Sequence, residues 1–225
     1  IPEQAVPDSD LKEMIRGLAS DPKNTVVLIS GRDRQILDTW FSDIKSLNIV
    51  GSHGLWLKHA GQDWALTASL DNEWKESIRP IFELYADRMP GAIVEEKEFA
   101  LSLHYRRCNP DMVVAKLNEL KQTLVSMTKS SSLVLQEGSK VLELKDSRVN
   151  KGTAVSLVID HSGYDFVFGA GDDLTDEDAF RALPSEAFSV KVGLGRTAAR
   201  YRTKSWITMR KVLKRMTEIG LSGQP

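Results

Sequence analysis

The run TVVLIS at positions 25–30 is continuously apolar, rich in β-branched residues and bounded by polar ones. That is the pattern of a strand buried on both faces of a parallel sheet. Such a strand needs helices on either side, and the chain supplies them. A helical pattern precedes it, with Asp8 or Ser9 as cap and Leu11, Met14, Ile15 and Leu18 on one side. Another follows, carrying Ile36, Trp40, Phe41 and Ile44, and leads into NIVGSHG. Farther on come a helix over 152–160, the strand YDFVFGA, a short helix, the strand AFSVKVG and a closing helix with Trp206, Met209, Leu213 and Met216. This order predicts an α/β fold with a mostly parallel sheet covered on both sides.

The middle, residues 55–145, has a different rhythm. Short strand-like pieces, LWLKH and DWALTA, precede an amphipathic helix with Trp74, Ile78, Ile81, Phe82 and Tyr85. A hairpin of AIVEEK and FALSLHYR follows, then a helix with Val113, Leu117, Leu120 and Leu124, then a hairpin of LVLQ and VLELK around Glu137-Gly138-Ser139. In FALSLHYR, Phe99, Leu101, Leu103 and Tyr105 share one face, and Ala100, Ser102, His104 and Arg106 the other. The pattern predicts an antiparallel sheet with helices on its apolar side and a free polar side, inserted as a lid between a first core segment, 1–54, and a second, 146–225. TKSSS (128–132) is expected to be a mobile loop.

Thirty basic residues against thirty-one acidic ones give a net charge of -1, so no global field recruits nucleic acid or an anionic membrane. Cys108 is the only cysteine. It excludes an internal disulfide and a cysteine-built zinc site, and it is compatible with a reducing cytosol. No apolar run approaches bilayer length, and no signal-like segment opens the chain.

Against that balance, GAGDDLTDEDAF (169–180) places five carboxylates within seven residues directly after an apolar strand. Part of this is a helix start: Thr175 and Asp178 have capping-box spacing, and acids in a first turn complement the helix dipole. Asp172 and Asp173 instead fall on a glycine-flanked turn at the carboxyl end of a strand, the edge where open α/β sheets bind ligands. Hard oxygen ligands there suit Mg²⁺, which accepts one or two carboxylates and keeps waters and phosphate oxygens. The spacing does not match an EF-hand. Asn150-Lys151-Gly152 precedes a helix expected to begin near Thr153, setting an ammonium at a positive helix end where an anion would remove the penalty. Ser30-Gly31-Arg32 ends TVVLIS on a hydroxyl and a glycine, groups able to meet a phosphoryl oxygen.

Taken together, SGR at 30–32, NKG at 150–152 and GDDLTDEDAF at 171–180 resemble the second, third and fourth motifs of the haloacid dehalogenase superfamily. With GSHG (51–54), EEKEFALSLHYR (95–106) and GSKVLEL (138–144), the chain resembles the trehalose-6-phosphate phosphatase family over nearly its whole length. The resemblance implies a Rossmann-like core with an inserted α/β cap, and Mg²⁺-dependent removal of phosphate from a sugar phosphate, trehalose 6-phosphate, usually in the cytoplasm. It implies Asp172 as Mg²⁺ ligand, with Asp173 and Asp176 ordering its waters and the lysine, and Ser30 and Lys151 holding the phosphoryl group beside Gly31 and Arg32. Glu95, Lys97, Arg106 and Glu143 match cap positions that bind the sugar in this family. Read without it, the charges at Glu95, Lys97 and Arg106 form a solvated cross-strand ladder of little energetic weight.

The chain departs from the family pattern in two places. Ser139 stands where some relatives carry a lysine. More consequentially, the family attacks phosphorus with the first aspartate of an Asp-x-Asp-Gly-Thr motif, and the second acts as acid and base; this sequence contains no such motif. Asp8-Ser9-Asp10 follows no apolar strand and is explained as a helix cap. The resemblance places the nucleophile strand upstream of Ile1, after which IPEQAVPDSDLKEMI reads as the continuation, and it allows a fused or associated trehalose-6-phosphate synthase (glycosyltransferase) domain. Two other readings stand beside the phosphatase: a non-catalytic homologue that binds trehalose 6-phosphate or stabilises a trehalose-synthesising complex, and a capped phosphatase for another sugar phosphate, such as that of sucrose or mannosyl-glycerate.

Overall fold

A computed structural model describes residues 6–159 and 163–222. The elements run, in chain order, α1 (Ser9–Ser20), β1 (Val27–Ile29), α2 (Arg34–Phe41), β2 (Asn48–Gly51), a 3-10 turn (Ser52–Gly54), β3 (Trp56–Lys58), β4 (Trp64–Leu66), α3 (Trp74–Asp87), β5 (Ile93–Lys97) and β6 (Ala100–His104). They continue with α4 (Pro110–Thr128), β7 (Leu133–Gly138), β8 (Val141–Asp146), α5 (Lys151–Ile159), β9 (Phe168–Gly171), α6 (Asp176–Ala182), β10 (Phe188–Val192), β11 (Tyr201–Thr203) and α7 (Trp206–Ser222). The opening residues 1–5 and the expected helix end at 160 lie outside the described residues. Among the described residues, no helix is long and apolar enough to cross a membrane.

Contacts divide the chain into two compact units, one made of Ile1–Thr67 with Val149–Pro225, the other of Ala68–Arg148. In the first, β1 pairs with β2 in parallel, and β9 with β10 and β10 with β11 likewise. This is the α/β core expected from the apolar runs, divided among the described residues into two sheets, ordered β1-β2-β3-β4 and β11-β10-β9. The pairs β2–β3 and β3–β4 are antiparallel, so LWLKH and DWALTA extend the core sheet rather than the middle module. The reason is local: β3 leaves β2 through the 3-10 turn, and a tight connection of that kind brings a strand back antiparallel. Trp64 then fastens this edge, its indole N–H donating to Asp38 on α2 at 2.7 Å.

The helices form where the chemistry asks for them. Asp8 caps α1 by accepting from the Leu11 amide at 2.9 Å, which leaves Asp8-Ser9-Asp10 with a structural role. Helix α2 stops at Phe41 and buries Leu37 and Phe41, while Ile36 faces outward and Ile44 packs beyond the helix end. Among the described side chains of α7, Met209 is buried and Trp206 is exposed.

The second unit is a four-stranded antiparallel sheet ordered β5-β6-β8-β7. Leu101 and Leu103 of β6, with Leu142 and Leu144 of β8, are fully buried against Ile78, Phe82 and Tyr85 of α3 and Leu117, Leu120 and Leu124 of α4. Each such side chain contributes roughly 1.5–3 kcal/mol of burial, which makes this alternation the main reason the register cannot slip. Lys75 on α3 is buried, and burial lowers its ammonium pKa. Its Nζ donates to the carbonyls of Lys97 (2.5 Å) and Glu98 (2.7 Å), holding the β5–β6 turn against the helix. The TKSSS segment is a bonded turn: Ser131 N donates to Thr128 O at 3.0 Å, and Ser132 Oγ to Asp146 at 2.7 Å.

Candidate active site

In the first unit the three motifs meet through a chain of direct contacts. Ser30 ends β1, and its carbonyl accepts from the His53 amide at 3.0 Å. A methyl group placed on Gly31 would lie 2.4 Å from the His53 ring, so only glycine allows this approach. Ser52 and His53 both have positive φ, 49° and 58°, which turns the chain sharply after β2. Gly54 follows at φ +113°, and a Cβ there would stand 2.4 Å from the Asn150 carbonyl oxygen. The turn after β2 thus reaches the start of α5 directly.

Helix α5 begins at Lys151, earlier than the expected Thr153, because Asn150 supplies the cap: its Oδ1 accepts from the Thr153 amide at 2.8 Å. Lys151 is only 7% exposed, far from the solvated lysine that its residue type would lead one to expect. Its Nζ donates to Asp176 Oδ1 at 2.6 Å. Asp176 Oδ2 accepts in turn from the Asp173 amide at 2.8 Å, so one carboxylate ties the lysine to the acid turn. Gly152 admits the main chain of Asp178, whose carbonyl oxygen would lie 2.7 Å from an added Cβ.

The capping box read from Thr175 and Asp178 does not form. Thr175 is helical in φ and ψ, makes no side-chain cap, and its buried hydroxyl has no hydrogen-bond partner among the described residues. Asp178 pairs with Arg181 at 2.9 Å. Glu177 is buried, with Oε1 3.7 Å from Lys191 Nζ. Three of the five acids therefore each face a cation. Asp172 and Asp173 do not: both are exposed, Asp173 Oδ1 accepts only from the Leu174 amide at 2.8 Å, and among the described residues nothing bonds the Asp172 carboxylate. Hard, unpaired carboxylates at a strand end fit the one- or two-carboxylate attachment of Mg²⁺. Among the described residues no three His, Cys, Asp or Glu side chains converge on one point.

Ser30 Oγ accepts from the Arg32 amide at 3.1 Å, which occupies that amide and leaves the hydroxyl proton to donate. The Arg32 guanidinium lies 5.5 Å from the Trp40 ring centroid, a cation–π distance.

The polar face of the second unit's sheet is organised by register. Glu95 opposes Ser102, Ser102 opposes Glu143, and Glu143 opposes Gln136. Lys97 Nζ donates to Glu143 Oε2 at 2.6 Å, and the Ser102 hydroxyl to the same oxygen at 2.8 Å. Burial pushes the Glu143 carboxyl up, but Lys97, Ser102 and Lys145 outweigh it and hold the group below the usual carboxylate range. His104 bonds Glu95 at 2.6 Å. Lys97, Glu143 and Glu95 thus share one face; Arg106 lies apart from that row, donating to the Ser139 carbonyl at the β7–β8 turn at 2.8 Å. Sequence reading put Ser102 and His104 on this face without giving them a role. Ser102 is fully buried, so the face is not wholly free. Its pairing partner Glu143 was the available signal, since a small hydroxyl opposite a carboxylate accommodates it.

Comparisons with known proteins agree with this architecture. A family model described as trehalose-phosphatase matches residues 1–207. A bifunctional trehalose-6-phosphate synthase/phosphatase of Thermoproteus tenax is 37% identical over 96% of this chain, which covers 29% of that protein. A trehalose-phosphatase of Schizosaccharomyces pombe is 38% identical over 81% of this chain and 23% of its own length. The solved C-terminal domain of the C. albicans trehalose-6-phosphate phosphatase superposes with a TM-score of 0.83 at 28% identity, covering 97% of this chain and 86% of that one. The chain spans about a quarter of the length of these curated relatives.

Proposed function

This chain belongs to the trehalose-phosphatase family, and from that membership we propose that it serves the hydrolysis of trehalose 6-phosphate to trehalose and phosphate. The observation that carries the reading is Lys151: a buried ammonium at a helix start, tied through Asp176 to a turn whose two remaining carboxylates are unpaired. Lys151, the α5 amides ahead of the capped Thr153 and the Ser30 hydroxyl hold the phosphoryl oxygens, while Gly31 admits the close approach of the His53 ring. Asp172 and Asp173 would hold Mg²⁺, whose charge would offset that of the phosphoryl group when bound. On the second unit, Glu95, Lys97 and Glu143 present paired donors and acceptors suited to sugar hydroxyls, and Arg106 adds a cation at the neighbouring turn. Localisation in the cytoplasm agrees with the single half-buried cysteine.

The relative from Thermoproteus tenax is described as carrying synthase and phosphatase together, which supports association of this chain with a synthase domain. The sequence contains no Asp-x-Asp-Gly-Thr, the source of the family's nucleophile. Phosphate monoesters need accelerations of up to about 10²¹-fold, and charge neutralisation alone does not supply an attacking atom. We therefore expect the 225-residue chain to bind trehalose 6-phosphate without releasing phosphate. Calorimetry with trehalose 6-phosphate, trehalose and inorganic phosphate, beside a phosphate-release assay in Mg²⁺, tests both halves. Binding of the sugar phosphate that disappears in Lys151→Met supports the reading. Equal binding by the two proteins would refute it, and rapid Mg²⁺-dependent turnover would refute the account of the nucleophile. The missing motif also favours a second reading, a binding homologue without catalysis.

A further inference from the structure

Lys191, on β10, takes no part in the phosphate-holding group, yet it is only 5% exposed. Its Nζ donates to the main-chain carbonyl of Asp172 at 2.7 Å and of Asp173 at 3.2 Å. The nearest carboxylate oxygen, Glu177 Oε1, is 3.7 Å away, beyond hydrogen-bond reach. Glu177 is equally buried, and its Oε2 accepts from the Ala198 amide at 2.6 Å. An ammonium out of water costs several kcal/mol unless good geometry offsets it, and a lysine present only to neutralise Glu177 would close on that carboxylate. This one directs its hydrogen bonds to two consecutive carbonyls of a single turn.

We propose that Lys191 is a positioning residue for the acid turn: it grips the main chain of Asp172 and Asp173 from the β10 side, leaving both carboxylates exposed, and Glu177 balances its charge. The inference rests on the reading that this turn accepts a divalent cation. It assigns the turn's shape to the protein rather than to the ion, so the ligands are arranged before any cation arrives. Asp176 braces the same turn by accepting from the Asp173 amide, and Lys191 supplies the opposing hold.

Mn²⁺ serves as the probe, added to the isotope-labelled 225-residue chain and read by paramagnetic broadening of amide resonances 171–176, alongside amide hydrogen exchange without metal. In the unsubstituted chain, Mn²⁺ broadens these resonances saturably. Lys191→Met is expected to weaken Mn²⁺ binding at least about tenfold, the usual scale for a group that orients a ligand from behind. It should also speed exchange at Asp173 and Leu174 while Leu101 and Leu142, in the other unit, keep their protection. Lys191→Arg, which retains charge and donors, should restore most of both. Should Lys191→Met fail to fold, Lys191→Gln is read by the same two measures. Unaltered exchange and unaltered Mn²⁺ affinity in the neutral variants would overturn the inference. Absence of broadening in the unsubstituted chain would instead refute the cation reading, and the exchange comparison would still decide whether Lys191 shapes the turn.

Discussion

Lys151 is buried and the Asp176 side chain largely so, 2.6 Å apart, which makes each expensive without the other. Removing one partner of a buried pair leaves an uncompensated charge and costs roughly 3–5 kcal/mol, whereas replacing both can be nearly neutral. Lys151→Met should therefore lower stability by about that amount in urea denaturation, and Lys151→Met with Asp176→Asn should recover most of it. A loss below about 1 kcal/mol in the single variant would mean the pair is solvated. Glycines give a second test. Gly54 combines φ +113° with a Cβ position 2.4 Å from a backbone oxygen, while Gly61 has φ +73° and open space around it. Gly54→Ala should cost on the order of 2–4 kcal/mol from strain and overlap. Gly61→Ala should cost only the left-handed strain, roughly 1–2 kcal/mol. Equal losses in thermal or urea unfolding would show that the approach of the turn to Asn150 is not tight. Sequence pattern led to Lys151 and the acid pair because their charges stood at strand and helix ends. It did not foresee that Asn150 caps α5 or that Thr175 fails to cap α6, since a side chain's choice of partner depends on where the turn aims it.

Elements were legible wherever burial imposes a period. The alternation in FALSLHYR gave the apolar face of β6 correctly, because Leu101 and Leu103 meet α3 and α4. β11 is a three-residue edge strand with two exposed positions and leaves no such trace. β3 and β4 were readable as strands but not as core strands, since a short antiparallel pattern says nothing about which neighbour it joins. At the end of β8, Asp146 closes the second unit by accepting from Arg148 Nε at 2.9 Å and from Ser132 Oγ at 2.7 Å. The Arg148 guanidinium, against the opposing push of burial, lowers its carboxyl from 3.8 to about 2. A depressed folded-state pKa means stabilisation that is complete above 3.8 and lost as pH falls through about 2. Acid unfolding followed by circular dichroism should therefore show a loss of stability across that interval which Asp146→Asn lacks. Parallel curves for the two proteins would place the carboxylate's bonds in solvent exchange.

At the scale of the whole chain, the two units differ in how they are built. The first is assembled from Ile1–Thr67 and Val149–Pro225, so its core depends on segments far apart in sequence. The second, Ala68–Arg148, is continuous, and all thirteen buried residues of its core cluster belong to it. Local contacts close their loops at little entropic cost, and continuous segments fold faster than ones joined across long intervals. A domain this small gains only about 3–5 kcal/mol from a single core. Even so, the helices α3 and α4 bury the apolar side chains of the central strands β6 and β8, and Lys75 pins the β5–β6 turn that would otherwise fray. Expressed alone, Ala68–Arg148 should unfold cooperatively in urea with a stability near that range, and Lys75→Met should lower it further by leaving two turn carbonyls without their donor. A broad, non-cooperative transition would mean that the segment's core needs the rest of the chain, and the polar face bearing Glu95, Lys97 and Glu143 could then not be treated as a preformed surface for sugar.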